Sequence, residues 1–178
     1  MATTKKQALN SPANPTLPWM VEGLRLLGTK EDMDGSNDEI VGWAEDFEGW
    51  VAKYYDTDDI PWCGLYVGHC VVNGKCSISF DNILYALNWR TFGLKLREAC
   101  YGAILVFKRD GGGHVGFYVS EDEDYYHVLG GNQSNMVSIK RVAKDRCVAI
   151  RWPKEYKDSI VPGKIIRKLN AEITTNEA

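Results

Sequence analysis

The sequence has no apolar run approaching the ~18 residues of a membrane-spanning helix. Its first fifteen residues, MATTKKQALNSPANP, hold no apolar stretch behind the lysines, so no secretory signal peptide is expected. There is no basic surplus: 21 Lys and Arg stand against 24 Asp and Glu, a net charge of −3, which argues against a generic nucleic-acid binder. Cysteine is sparse and odd in number, five in all, with no C-x-x-C pair. That pattern excludes a disulfide framework and points to synthesis in a reducing cytosol. The glycine run at 111–113 is followed by no Gly-Lys-Ser/Thr and leads into a strand pattern, so it is not a phosphate loop. No internal repeat and no low-complexity tract is visible.

What is present suits one globular domain. The chain has 178 residues, 44% hydrophobic and 25% charged, a length that can bury about 70% of its unfolded surface without disulfide or metal. Residues 1–16, polar with Pro12 and Pro15, read as a flexible leader. Residues 17–160 read as the domain, and 161–178 as a polar tail that frays. Met20, Val21, Leu24, Leu26 and Leu27 recur at helical spacing before Gly28. Ile40, Trp43, Ala44, Phe47, Trp50 and Val51 make a second helical face. WCGLYVGHCVV and SISFDNILYALNWRTFG predict two more helices, the last ending near Gly93. The period then changes. GAILVFKR, HVGFYVSED, YYHVLGGN, MVSIKRV and CVAIRWP are short, β-branched and separated by turn residues. Helices first and an antiparallel sheet second predict an α+β fold.

Three positions can carry chemistry. Cys63 follows Pro61 and Trp62 at the predicted start of a helix, where unpaired N–H groups and the macrodipole favour a thiolate. On position alone the ordinary reading is a small buried hydrophobe. Asp56, Asp58 and Asp59 just upstream oppose a thiolate. His114 opens a strand after Gly111, Gly112 and Gly113, which suits a base beside a cleft. The plain alternative is a surface histidine after a hairpin turn. Gly130, Gly131, Asn132 and Gln133 end the next strand pattern. A carboxamide there can accept a histidine N–H and set its tautomer, or G-G-N can be an ordinary turn. Taken together, nucleophile, base and orienting amide follow the logic of an activated nucleophile.

Other sets are weaker. Cys63, His69, Cys70 and Cys76 fit no zinc spacing, and adjacent helical residues point about 100° apart. The D-T-D-D run at 56–59 offers oxygen ligands for calcium, but a solvated acidic loop is the preferred reading. Trp19, Trp43, Trp50 and Trp89 are expected in the core, and Trp62 in a cleft beside Cys63. His69 and His127 have no identifiable partner and read as structural or surface residues.

The set PWMVEGLRLLGTKE, IPWCGLYVGHCV, ALNWRTFG, GAILVFKRDGGGHVGFYVS, VLGGNQSNMVSI and RWP resembles papain-like peptidoglycan hydrolases. It is similar to a phage-associated group related to the NlpC-type and CHAP-type cysteine peptidases. The resemblance covers roughly residues 17–153. It implies a papain-like fold, with the cysteine helix packed on an antiparallel sheet that carries the histidine. It implies cleavage of a peptidoglycan amide bond, with Cys63 as nucleophile and His114 as base. Asn132 is the expected third residue, with Gln133 as the alternative, because EDEDYYH shifts the alignment. Neither metal nor cofactor is implied. Peptidoglycan is the expected partner of a monomer that neither binds nucleic acid nor inserts in a membrane. The protein would be made in the cytoplasm without a signal peptide and reach the wall at phage lysis or by delivery as a toxin. No wall-binding domain is visible, which by analogy suits thin Gram-negative walls. Rival readings keep the site for acyl transfer or deamidation, or make the chain a non-catalytic wall-binding or structural phage protein.

Overall fold

The computed structural model describes residues 16–168, so the expected leader lies outside the described residues except for Thr16. The fold is α+β. Helix α1 spans Pro18–Arg25, α2 Asp38–Gly42, α3 Trp50–Tyr54 and α4 Cys63–Asn73. Six strands follow: β1 Leu94–Lys95, β2 Ile104–Arg109, β3 Gly112–Glu121, β4 Tyr125–Gly130, β5 Ser138–Ala143 and β6 Cys147–Trp152. They form one sheet in the order β1-β6-β2-β3-β4-β5, every pair antiparallel. No described helix is long and apolar enough to cross a membrane.

The five strands read from the β-branched runs are present, and β1 is an addition too short to leave a period. Strands β2 and β3 are buried along almost their whole length, as central strands covered on both faces are. Helix α4 packs on β3 through Tyr66, whose ring meets Phe117 edge-on at 6.0 Å. The same tyrosine donates to the Gly23 carbonyl at 3.0 Å and so ties α1 to α4. Trp19 fixes the other side of α1, donating to the Gly102 carbonyl at 2.9 Å and meeting Trp152 and Tyr156 edge-on.

Three sequence expectations change. The helical face over residues 40–51 is not one helix. A 3₁₀ turn, Trp43–Asp46, follows α2, and Gly49 at φ 81, ψ −129 breaks the run before α3. The break turns Trp50 outward, 41% exposed, where a continuous helix would bury it. The expected helix over 77–93 shrinks to a 3₁₀ segment, Ala86–Thr91. Here the Asn82 side chain accepts the Tyr85 N–H at 3.1 Å, and the Trp89 indole donates to the Ile83 carbonyl at 2.9 Å. Such side-chain bonds offer the backbone an alternative to the helix. The described part of the tail does not fray. Glu121 and Ile166 form a parallel bridge, and the Arg167 N–H donates to the Glu121 carbonyl at 3.0 Å.

The two histidines without an obvious role are both tied down. His127 is buried, with Nδ1 2.7 Å from Ser120 Oγ and Nε2 2.9 Å from Asp122 Oδ2. His69 stacks on Trp43 and bridges Glu22 on α1 and Asp46. Hydrogen bonds from Arg25 hold the Glu22 carboxyl down to about 2, against partial burial and with help from His69. A depressed carboxylate adds stability that is fully present above its unfolded value of 4.5 and is lost as pH falls toward 2. The thermal midpoint should therefore fall as pH drops through that window. Glu22→Gln should lower the midpoint at neutral pH and flatten the acid limb in scanning calorimetry. An unchanged slope in that variant would remove the cluster from the account.

Candidate active site

Cys63 is the first residue of α4. Trp62 is the cap residue (φ −119, ψ 15), Pro61 lies one position before it, and no side chain caps the helix. The first bond of the helix runs from the Tyr66 N–H to the Trp62 carbonyl at 2.9 Å. The N–H groups of Cys63, Gly64 and Leu65 thus have no partner within the helix and carry its positive end.

Close packing holds this helix start in place. A Cβ on Gly64 would lie 2.1 Å from the Ile83 carbonyl oxygen, the same oxygen that accepts the Trp89 indole. A Cβ on Gly131 would lie 2.6 Å from Tyr66 Cβ and 2.7 Å from the Trp62 ring. Gly64, just after Cys63, and Gly131, just past the end of β4, are therefore sites of close approach. Asp58, inside the acidic run, is buried and accepts the N–H groups of Asn37 at 2.8 Å and Asp32 at 3.3 Å. It is a staple for the loop before Cys63 and not a solvated residue. Among the described residues no group of three or more His, Cys, Asp or Glu side chains is arranged to hold a metal ion.

Trp62 does not line a cleft. It is fully buried, donates from Nε1 to Glu31 Oε1 at 2.8 Å, and lies against Trp43. Burial pushes the Glu31 carboxyl up, and the indole bond only partly offsets this. The cleft at Cys63, about 340 Å³, takes its aromatic wall from Trp50, Tyr54 and Tyr85, all three exposed, and its floor includes Gly111–Gly113 and Arg109. Sequence reasoning missed these four side chains. The signals were the positive-φ glycine before Trp50 and an arginine that closes an apolar strand at the histidine hairpin.

His114 is the third residue of β3, since the strand opens at Gly112 after the turn Asp110–Gly111, where Gly111 has φ 77. It is buried, and its ring stacks on its cross-strand partner Phe107 at 6.2 Å and 25°. Its Nε2 lies 3.1 Å from Gln133 Oε1. The Gln133 amide nitrogen donates to the carbonyls of Ser138 at 2.6 Å, Val128 at 3.2 Å and Gly130 at 3.3 Å. Carbonyls only accept, so the nitrogen must face them and the oxygen must face His114. That oxygen also only accepts, so Nε2 carries a proton, and in the neutral ring the lone pair falls on Nδ1.

Asn132, the expected third residue, does not make this bond. It takes the left-handed conformation (φ 54) at the end of β4, and its buried Oδ1 has no hydrogen-bond partner among the described residues. The reversal sends the next residue back under the strand, so Gln133 reaches the histidine. The structure thus joins His114 to Gln133 and sets Cys63 and Gly111–Gly113 on one cleft. It leaves Asn132 unbonded to the histidine and Trp62 in the core.

The other four cysteines are chemically quiet. Burial pushes the Cys70 thiol well above its usual value, Cys76 up to about 12, and Cys100 and Cys147 up to about 11. In comparison with known proteins, no family model matches the chain, and neither a curated protein nor a solved structure matches it.

Iodoacetamide at neutral pH should therefore modify Cys63 and spare the other four, as read by peptide mapping. Gln133→Ala should displace the pH profile of that reaction and slow it about tenfold, within the ~10²–10⁴ that a positioned base can supply. Asn132→Gly, which keeps the left-handed backbone, should leave the profile in place. Equal effects of the two substitutions would contradict the assignment of Gln133.

Proposed function

We propose that this chain is a papain-like cysteine hydrolase that cleaves an amide bond of peptidoglycan. The observation that carries the reading is the combined arrangement of Cys63 and His114. Cys63 heads an uncapped helix on a cleft bordered by the glycines that lead into His114, and Gln133 sets the tautomer of that histidine. The wall substrate rests on the resemblance of the motifs around these residues to phage-associated NlpC-type and CHAP-type enzymes.

In this reading Nδ1 of His114 takes the Cys63 proton, and the thiolate attacks the scissile carbonyl. The N–H groups of the first turn of α4, that of Cys63 included, bind the oxyanion. The His114 imidazolium then protonates the leaving amine, and water hydrolyses the thioester with His114 again acting as base. Gln133 is neutral: it holds the ring but does not balance its charge, as in the Cys-His-Asn arrangement. The enzyme acts as a monomer on the wall, after release from the cytoplasm or delivery, with no cofactor.

Purified peptidoglycan digested with wild type should release soluble fragments whose new ends name the bond cut. Cys63→Ala should release none, and His114→Ala should fall by about 10²-fold or more. Release of the same fragments by Cys63→Ala, or no release by wild type from Gram-negative and Gram-positive walls alike, would refute the reading.

A further inference from the structure

We infer that Arg109 is a specificity-determining residue that pairs with a free carboxylate of the substrate close to the scissile amide. This rests on the reading of Cys63 as the nucleophile of an amide hydrolase. Arg109 is the last residue of β2, paired across the hairpin with Gly112, and it lines the cleft at Cys63. Its Nε is buried with no hydrogen-bond partner, and the guanidinium makes no ion pair among the described residues.

That state is costly in a folded protein. A buried donor without an acceptor forfeits its hydration, and a charged one forfeits more. Other arginines behave differently: Arg25 bonds Glu22, Arg141 bonds Asp122, Arg151 bonds the carbonyls of Phe92 and Gly93, and Arg90 and Arg146 bond the carbonyls of Leu87 and Lys108. Arg109 is the one charged residue among the described residues lining the cleft, so nothing in its wall competes for an anion. The aromatic wall of Trp50, Tyr54 and Tyr85 lowers the polarity of the cleft, which strengthens a charge pair there. A guanidinium presents a planar fork of donors that matches a carboxylate in two parallel bonds, a geometry that neither an amide nor a sugar hydroxyl reproduces.

The cleft therefore selects acidic peptides over their amidated forms. Wall stem peptides offer such a choice, since their γ-linked glutamyl and terminal carboxyls occur free or as carboxamides. The chemistry of Arg109 does not depend on which of them enters.

The test uses one synthetic pair, L-Ala-γ-D-Glu-L-Lys-D-Ala with every carboxylate free and the same peptide with every carboxylate amidated. Binding to Cys63→Ala is read by calorimetry, and hydrolysis by wild type by mass spectrometry. The acid form should bind roughly tenfold to a hundredfold tighter, the value of a charge-assisted pair. Arg109→Met in the Cys63→Ala background should abolish the preference, Arg109→Lys should restore part of it, and thermal melting should show both variants folded. If wild type cleaves the pair, the preference should appear in KM and not in kcat. Equal binding of the two forms, a preference that survives Arg109→Met, or no binding of either form overturns the inference. Arg109-dependent binding of the acid form without cleavage upholds it and counts against the hydrolase reading alone.

Discussion

Helix α4 is largely buried, and its position depends on how closely bare backbone can approach it. Eight of its eleven residues are buried. Gly64 lies under the Ile83 carbonyl and Gly131 lies against Trp62 and Tyr66, at distances no side chain could occupy. These approaches let the loop after α4 and the end of β4 meet at the first turn of the helix. Cys63 stands at that turn. The local chemistry of the cysteine therefore depends on packing several residues away, because a shift of the helix start would move the uncapped N–H groups together with the sulfur.

The histidine side is built on a different principle. Its orientation comes from a single carboxamide whose nitrogen is committed to three backbone carbonyls. The sheet thus sets a rotamer, the rotamer sets which amide atom faces His114, and that atom sets where the imidazole keeps its proton. No charge is spent in this chain of constraints. Carboxylate clusters lie elsewhere: Glu22, His69 and Asp46 tie α1 to α4, and Asp122, His127 and Arg141 tie β4 to β5. In the second group partial burial of Asp122 opposes ionisation, yet the bonds from Arg141 and His127 hold its carboxyl well below the usual range.

Burial also sorts the five cysteines. Cys70, Cys76 and Cys100 are buried and Cys147 is half-buried, and desolvation pushes all four thiols up. Cys63 is also nearly buried, but it borders an open cleft and a helix terminus. Arg109, whose Nε has no partner, lies on the same cleft and adds one fixed positive charge to it.

Local pattern determined much of this. Short β-branched runs separated by turn residues located five of the six strands, and Pro61-Trp62-Cys63 located the start of α4, because strands and helix starts are set by neighbours in the chain. The glycines at 111–113 and 130–131 marked the two turns that frame the histidine and the carboxamide. Tertiary structure decided the rest. Gly49 broke an apolar period that reads as one helix and turned Trp50 outward, while contacts with Glu31 and Trp43 hold Trp62 in the core. Side-chain bonds to Asn82 and Ile83 replaced a helix with a 3₁₀ turn. The choice of Gln133 over Asn132 turned on a single left-handed residue, and the missing partner of Arg109 became visible only when every nearby acceptor was in place. Sequence reports which groups a segment carries. Which of them meet, and which is left without a partner, depends on contacts between residues far apart in the chain.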